Sequence, residues 1–314
     1  ISAEFVLKDP TVEFAVLETA RGGILRSGLG FNYSDIGVLT NIKEDHLGLS
    51  DIHNLKDLTR VKRVVLDSVK KDGWCVLNAD DEYSMRLIND LDAKVAIFSL
   101  DEKNPHIKKF AKDGKITCVY EEGFVTIKKG DWKIRIAKVV NIPITMEGKA
   151  KFMIANVLAA SLACYLYGFA IEDIANSLRT FIPSAQLTPG RLNVFKFKNF
   201  KVMIDFAHNP SGYEAIEDYL KNVDASKKIG IISGVGDRRD EDIRECGKIA
   251  GRMFDHIIIR SEKFLRGRLE EDINNLIITG IQDAGRNVSY EIIPKEIEAL
   301  KHAMSLAEEG TFIT

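Results

Sequence analysis

Through the first hundred residues, apolar β-branched runs alternate with stretches whose hydrophobic positions recur every three or four residues. That alternation predicts a parallel sheet with crossover helices. Strands are expected near 12–17 (VEFAVL), 36–42, 74–78 and 94–98. Over 55–70 the spacing predicts a helix, with Leu55, Leu58, Val61, Val65 and Leu66 on one side and Lys and Arg on the other. A second helix follows Asn78-Ala79-Asp80-Asp81, whose carboxylates suit its first turn. Residues 115–138 change character to short antiparallel strands turning at Gly123 and Gly130, a small sheet on the edge of the first domain.

Long and short apolar helices at 152–167 and 171–179 lead into the segment from Pro183 to Pro189, where two prolines flank polar residues. This is the expected linker, and it divides the chain into domains at 1–188 and 189–314. The pattern then restarts as β-β-α-β-α-β-α-β, with strands near 193–198, 201–206, 228–233, 256–260, 288–292 and 311–314. A second doubly wound domain is the expected result. With a strand pattern close to each end and no initiator Met, the chain reads as a fragment.

The chain has 314 residues, of which 45% are hydrophobic and 29% charged, in keeping with a globular α/β protein of about two domains. Lys and Arg number 44 against 46 Asp and Glu, a net charge of -2, so no overall field favours nucleic acid or a membrane surface. No apolar run approaches the roughly 20 residues of a bilayer span. Cys75, Cys118, Cys164 and Cys246 are far apart and lie in apolar runs. They are expected in the core of a cytoplasmic protein, without disulfides or a zinc site.

Candidate chemistry gathers at the carboxyl ends of strands, where open α/β sheets bind ligands. Glu18 precedes the turn Thr19-Ala20-Arg21-Gly22-Gly23, a setting for magnesium or phosphate or, equally, a solvated strand end. Asn41, Asp45 and His46 follow the next strand and suit either a metal or a turn. Lys62 lies at the edge of the apolar face of the 55–70 helix, as a snorkelling lysine also would. In the second half, Gly190-Arg191 follows the linker, and Asp205-Phe206-Ala207-His208-Asn209-Pro210 forms a binding corner in which Asn209 alone reads as a helix cap. Gly234-Val235-Gly236 lacks the third glycine of a dinucleotide site.

Taken in order, several runs resemble the Mur ligase-type ATP-dependent amide ligases. They are LKDPTVEFAVLETARGGILRSGLGF (7–31), VLTNIKEDHLGL (38–49), TRVKRVVLDSVKKDGWCVLNADDE (59–82), IANVLAASLACYLYG (154–168), PGRLNVF (189–195), MIDFAHNPSGYEAI (203–216), GVGDRRDEDIRECG (234–247) and LRGR (265–268). The ETARGGILR, GDRRDEDIRE and LRGR runs point to the branch that builds the arginine–aspartate polymer cyanophycin and away from peptidoglycan or folylpolyglutamate ligases. The implied fold is α/β: a Mur ligase-like central ATPase domain with a mostly parallel sheet plus a small antiparallel one, then a Rossmann-like C-terminal Mur ligase domain. The implied cofactors are ATP and Mg2+. Glu18 and His46 match magnesium positions, and Lys62 matches a lysine that is carbamylated to hold a second magnesium. Asn156 matches an adenine contact, Arg191 a phosphate contact and Asp205 a ribose contact, with His208 and Asn209 in the same loop. Lys62, His46 and Arg191 are the implied catalytic set.

Two features depart from the family pattern. No G-x-x-x-x-G-K-[ST] phosphate loop occurs in these residues, and Met153 stands where an asparagine is common. The resemblance places that loop and an ATP-grasp region upstream in a longer chain, and implies that this piece alone is inactive. The implied reaction transfers the ATP γ-phosphoryl group to a carboxylate and lets an amine attack the acyl phosphate. The implied partners are a cyanophycin-like polymer primer and arginine, with the acidic run Asp237, Asp240, Glu241 and Asp242 offering carboxylates to its guanidinium or else serving as a solvated helix start. The reading leaves open a homo-oligomer, a ligase for a cell-wall precursor or folate, and a nucleotide-binding module without turnover.

Overall fold

The computed structural model describes residues 2–44, 47–48 and 52–314, and the chain divides into two units, the first ending at Phe181 and the second taking in 182–314 with the short stretches 47–48 and 149–151. In the first come α1 (Ser2–Lys8), α2 (Arg21–Ser27), β1 (Ser34–Leu39), α3 (Leu55–Asp67), β2 (Val69–Asn78), α4 (Glu82–Arg86) and β3 (Lys94–Ser99). They are followed by α5 (Pro105–Lys112), β4 (Ile116–Glu121), β5 (Phe124–Lys129), β6 (Trp132–Lys138), α6 (Lys151–Tyr167) and α7 (Ile171–Thr180). The sheet runs β1-β2-β3-β4-β5-β6, parallel as far as β4 and antiparallel beyond it. The antiparallel hairpins therefore extend the main sheet instead of forming a separate one.

Alternation along the strands sends neighbouring residues to opposite faces. Val76, Ala96, Phe98 and Cys118 meet Ile154, Val157, Leu158 and Leu162 of α6, with Ile174 and Ala175 of α7. On the other face Cys75 lies under α3, its sulfur 3.8 Å from the Leu66 carbonyl oxygen. Helix α3 begins where Asn54 accepts from the amides of Lys56 and Asp57 at 2.9 and 3.0 Å, satisfying two donors that the helix cannot. It buries Leu58 and Leu66 as the periodicity requires. It stops at Asp67, short of residue 70, because Ser68 donates its hydroxyl to the Val65 carbonyl while its own carbonyl accepts from Ser34 N, which starts the β1–β2 ladder.

The expected strand at 12–17 does not form. Its residues have no ladder partner among the described residues, and Val16 is 85% exposed. Phe14 instead meets Tyr167 and Phe169 edge-on, with centroids 4.7 and 5.8 Å away. The apolar alternation there serves an aromatic anchor and not a sheet.

In the second unit lie β7 (Asn193–Lys196), β8 (Phe200–Ile204), α8 (Pro210–Lys221), β9 (Lys227–Ile232), α9 (Asp240–Met253) and β10 (His256–Ile259). After these come α10 (Glu270–Asp283), β11 (Ser289–Ile292), α11 (Glu296–Ser305) and β12 (Thr311–Ile313). The sheet order is β11-β10-β9-β12-β8-β7, all parallel except the β7 edge. Val202, Ile229, Ile258 and Ile313 pack with Ala299 and Ala303 of α11 on one face. On the other, α9 and α10 cross at backbone distance: a Cβ on Gly247 would come within 2.3 Å of the Ile277 carbonyl oxygen, and one on Gly280 within 2.0 Å of the Arg244 oxygen. No helix among the described residues is long and apolar enough to cross a membrane.

The four cysteines are unpaired; Cys75 and Cys118 are buried, while Cys164 and Cys246 are half-buried. Burial, with Asp242 adding to it, pushes the Cys246 thiol up to about 12, and the Cys75 thiol is likewise raised to about 12 by burial.

Glu121, buried at the end of β4, accepts from Lys128 at 2.5 Å and Lys133 at 3.2 Å. Burial pushes its carboxyl up, but the two ammonium groups outweigh this and hold it below the ordinary value. A lowered folded value means that the ion pairs stabilise the fold above the unfolded glutamate range and stop doing so as pH falls through the folded value. Glu121→Gln is expected to lose about 1–3 kcal/mol at neutral pH. Denaturant titrations of the variant and the wild-type chain should converge on acidification.

Candidate active site

In the first unit the candidate residues cluster past the end of β1. Lys62 projects from the middle of α3 and donates from Nζ to the Asn41 carbonyl oxygen at 2.9 Å. The backbone it reaches is held from two other directions. Asn78, ending β2, donates from Nδ2 to the Thr40 oxygen at 2.8 Å. Asp81, 3% exposed, accepts the Ile42 N–H at 2.7 Å through Oδ2 and caps α4 by accepting the Ser84 N–H at 2.8 Å through Oδ1. Residues 40–42 are thus fixed by side chains from β2 and its following turn, and the lysine is delivered to the carboxyl end of the sheet.

Glu18 lies in the irregular segment before α2, exposed and with no ion pair or hydrogen bond among the described residues. His46 lies outside the described residues. Magnesium needs oxygen donors gathered around one point. As described, Lys62 offers an ammonium that itself donates to a carbonyl, and no group of three His, Cys, Asp or Glu side chains among the described residues is placed to hold a metal ion. Among the described residues no metal-binding group is assembled, and His46, the third member of the set, lies outside them. Asn156 stands on the exposed side of α6, its amide turned to the Met153 sulfur at 3.7 Å. Met153 itself is buried in the α6 packing, so that position serves the core here.

In the second unit a built turn presents Arg191. Thr188-Pro189-Gly190-Arg191 closes with Arg191 N donating to the Thr188 oxygen at 3.1 Å, and Gly190 takes φ +67°, the geometry that a Pro-Gly pair favours. Leu192 is also left-handed, at φ +48°, a strained value for a leucine and held only where the surroundings insist. Two side chains insist. Buried Asn193 accepts the Gly190 N–H at 2.8 Å and donates to the oxygens of Thr188 and Arg191 at 3.0 and 3.3 Å. Asp205, at the end of β8, accepts the Leu192 N–H at 3.0 Å and the Ala207 N–H at 2.9 Å. Burial lifts the Asp205 carboxyl above its usual range, while these amides and the Arg191 charge pull the other way.

His208 bonds from Nδ1 to the Phe206 carbonyl oxygen at 2.8 Å. A carbonyl only accepts, so Nδ1 carries the proton and Nε2 is the acceptor nitrogen of the neutral ring. Asn209 caps α8 by accepting the Gly212 N–H at 2.8 Å, with Pro210 at the first helical position. The structural role read for Asn209 from the sequence is thus present.

The acidic run does meet guanidinium groups, but they are the chain's own. Asp237 accepts from Arg238 at 3.0 Å and also pairs with Arg266; Asp240 pairs with Arg268 at 2.6 Å. Asp242 takes both arms of the Arg239 fork, at 2.8 and 2.7 Å. The LRGR run folds directly against this loop, since a Cβ on Gly236 would lie 2.0 Å from the Leu265 carbonyl oxygen. That approach explains Gly236, while a Cβ on Gly234 would come within 2.4 Å of the Ile273 side chain.

Residues 3–164 match the family model described as "Mur ligase middle domain", and residues 190–314 the one described as "Mur ligase, glutamate ligase domain". The chain belongs to the Mur ligase family. It is 46% identical over 313 residues to a cyanophycin synthetase of Geminocystis herdmanii, covering 100% of this chain and 36% of that protein. A UDP-N-acetylmuramoyl-L-alanyl-D-glutamate--2,6-diaminopimelate ligase of Caldanaerobacter subterraneus is 27% identical over 305 residues, covering 96% of this chain and 58% of that one. Among solved structures, E. coli FolC in complex with DHPP and ADP superposes with a TM-score of 0.63 at 14% identity, over 89% of this chain and 57% of FolC. This Mur ligase chain spans about a third of the length of the cyanophycin synthetases it matches.

Sequence reasoning did not single out Asn193, and Asp81 only as a cap. The signal for Asn193 was local: an Asx residue three positions past the glycine of a Pro-Gly turn is placed to bond back into it. Asn193→Ala is expected to leave the Gly190 amide without its acceptor and to cost about 1–3 kcal/mol in chemical denaturation. Asn193→Asp, which keeps that acceptor and loses both donated bonds, should also fall below wild type.

Proposed function

We propose that this chain is the nucleotide-handling and amino-acid-handling part of an ATP-dependent amide ligase of the cyanophycin synthetase type. In this reading the complete enzyme joins arginine, through its α-amine, to the aspartate side chain of a multi-L-arginyl-poly-L-aspartate primer. The observation that carries it is the 46% identity over 313 residues to a cyanophycin synthetase. The 27% identity to a peptidoglycan-precursor ligase is the corresponding figure for the rival substrate class.

The chemistry assigned is acyl activation. A carboxylate oxygen of the primer attacks the γ-phosphorus of ATP, the bond to the β-phosphate oxygen breaks, and ADP leaves. The arginine amine then attacks the acyl carbon, loses a proton, and inorganic phosphate departs with the electrons of the C–O bond. Such reactions depend on positioning and on neutralising charge that develops on phosphate oxygens. Arg191 supplies a planar fork of donors for those oxygens on a turn that is already rigid. Each Asp205 oxygen accepts one backbone N–H and keeps a further acceptor site for a ribose hydroxyl. Asn156 offers its amide to the adenine edge, and His208 and Asn209 stay in the nucleotide-proximal loop as a donor–acceptor ring and a cap. Lys62 in this account holds residue 41 in place. The ATP-grasp region and the phosphate loop belong to the remaining two thirds of the enzyme.

The test is a graft. Residues 1–314 replace the matching stretch of the Geminocystis herdmanii protein, and ADP release is followed with ATP, magnesium, polymer primer and one amino acid at a time. Release is expected only with arginine and primer together. Turnover with glutamate or diaminopimelate in place of arginine, or release independent of primer, contradicts the assignment.

A further inference from the structure

Phe206 is 62% exposed, although it sits between Asp205 and Ala207, both held by hydrogen bonds. A large ring left in water forgoes the free energy that burial would give. Its contacts explain the exposure. The Arg191 guanidinium carbon lies over the ring at 5.4 Å from the centroid, and the His208 ring meets it edge-on at 5.3 Å and 61°.

The backbone of Arg191 is fixed by the left-handed residues on either side of it. Its guanidinium is not, because it hangs at the end of a long flexible side chain, and a fork of donors captures phosphate only when its plane is set. A ring face under a guanidinium supplies that orientation. We propose that Phe206 is a positioning residue that sets the plane of the Arg191 guanidinium for a nucleotide phosphate. This rests on the phosphate reading of Arg191 given above.

The test uses the chain itself, nitrogen-labelled, with ADP as the probe. The Arg191 Nε–Hε resonance, assigned by its loss in Arg191→Lys, is expected to show an upfield ring-current shift that survives in Phe206→Tyr and disappears in Phe206→Leu. ADP affinity should match wild type in Phe206→Tyr and fall about 2- to 5-fold in Phe206→Leu, the size of effect an exposed ring gives. The melting temperature should stay unchanged in both, which separates positioning from folding. A Phe206→Leu variant with wild-type resonance and affinity overturns the inference. So does a loss of ADP affinity in Arg191→Ala that Phe206→Leu does not share. If Arg191→Ala binds ADP as well as wild type, the phosphate reading fails, and the role given to Phe206 fails with it.

Discussion

A carboxylate at a strand end, accepting the backbone N–H of a segment distant in sequence, organises the candidate residues in each unit. Asp81 does this for Ile42, and Asp205 for Leu192. Buried backbone donors demand partners, and one supplied by a short, stiff side chain also fixes direction. Lys62 has a defined carbonyl to reach, and Arg191 a defined turn to stand on, because of these two bonds. The bonds differ in setting: Asp81 also caps a helix, whereas Asp205 spends its second oxygen within its own loop.

The layer architecture was largely legible in the chain. β-Branched runs became the parallel strands, the 3.6-residue spacing became α3, and Gly123 and Gly130 became the turns of the antiparallel extension. Failures came where local pattern and long-range partner part company. VEFAVL alternates like a strand, but alternation states only that one side is apolar, and here Tyr167 and Phe169 meet it. Asp237 and Asp240 looked open because the arginines of LRGR that pair with them lie nearly thirty positions onward. Asn193 hid for a different reason: its bonds to Gly190, Thr188 and Arg191 exist only once the Pro-Gly turn has closed on it.

Two kinds of polar clustering are present in the second unit, and they differ in what they leave over. The Asp237–Arg266 and Asp240–Arg268 pairs match charge with charge and join two loops. In the Arg191 corner Asp205 is turned onto backbone amides, and the guanidinium lies on a ring. An aromatic face orients a cation without neutralising it.

The glycine contacts between α9 and α10 set a limit on motion. Where the backbone of one helix touches that of another at Gly247 and Gly280, no layer of side chains is left to act as a bearing. Sliding of one helix past the other, the usual source of small shear movements in packed helices, would drive carbonyl oxygens into α-carbons. The loops that enter these two helices are therefore carried on a single stiff chassis, and whatever displacement one undergoes the other must share.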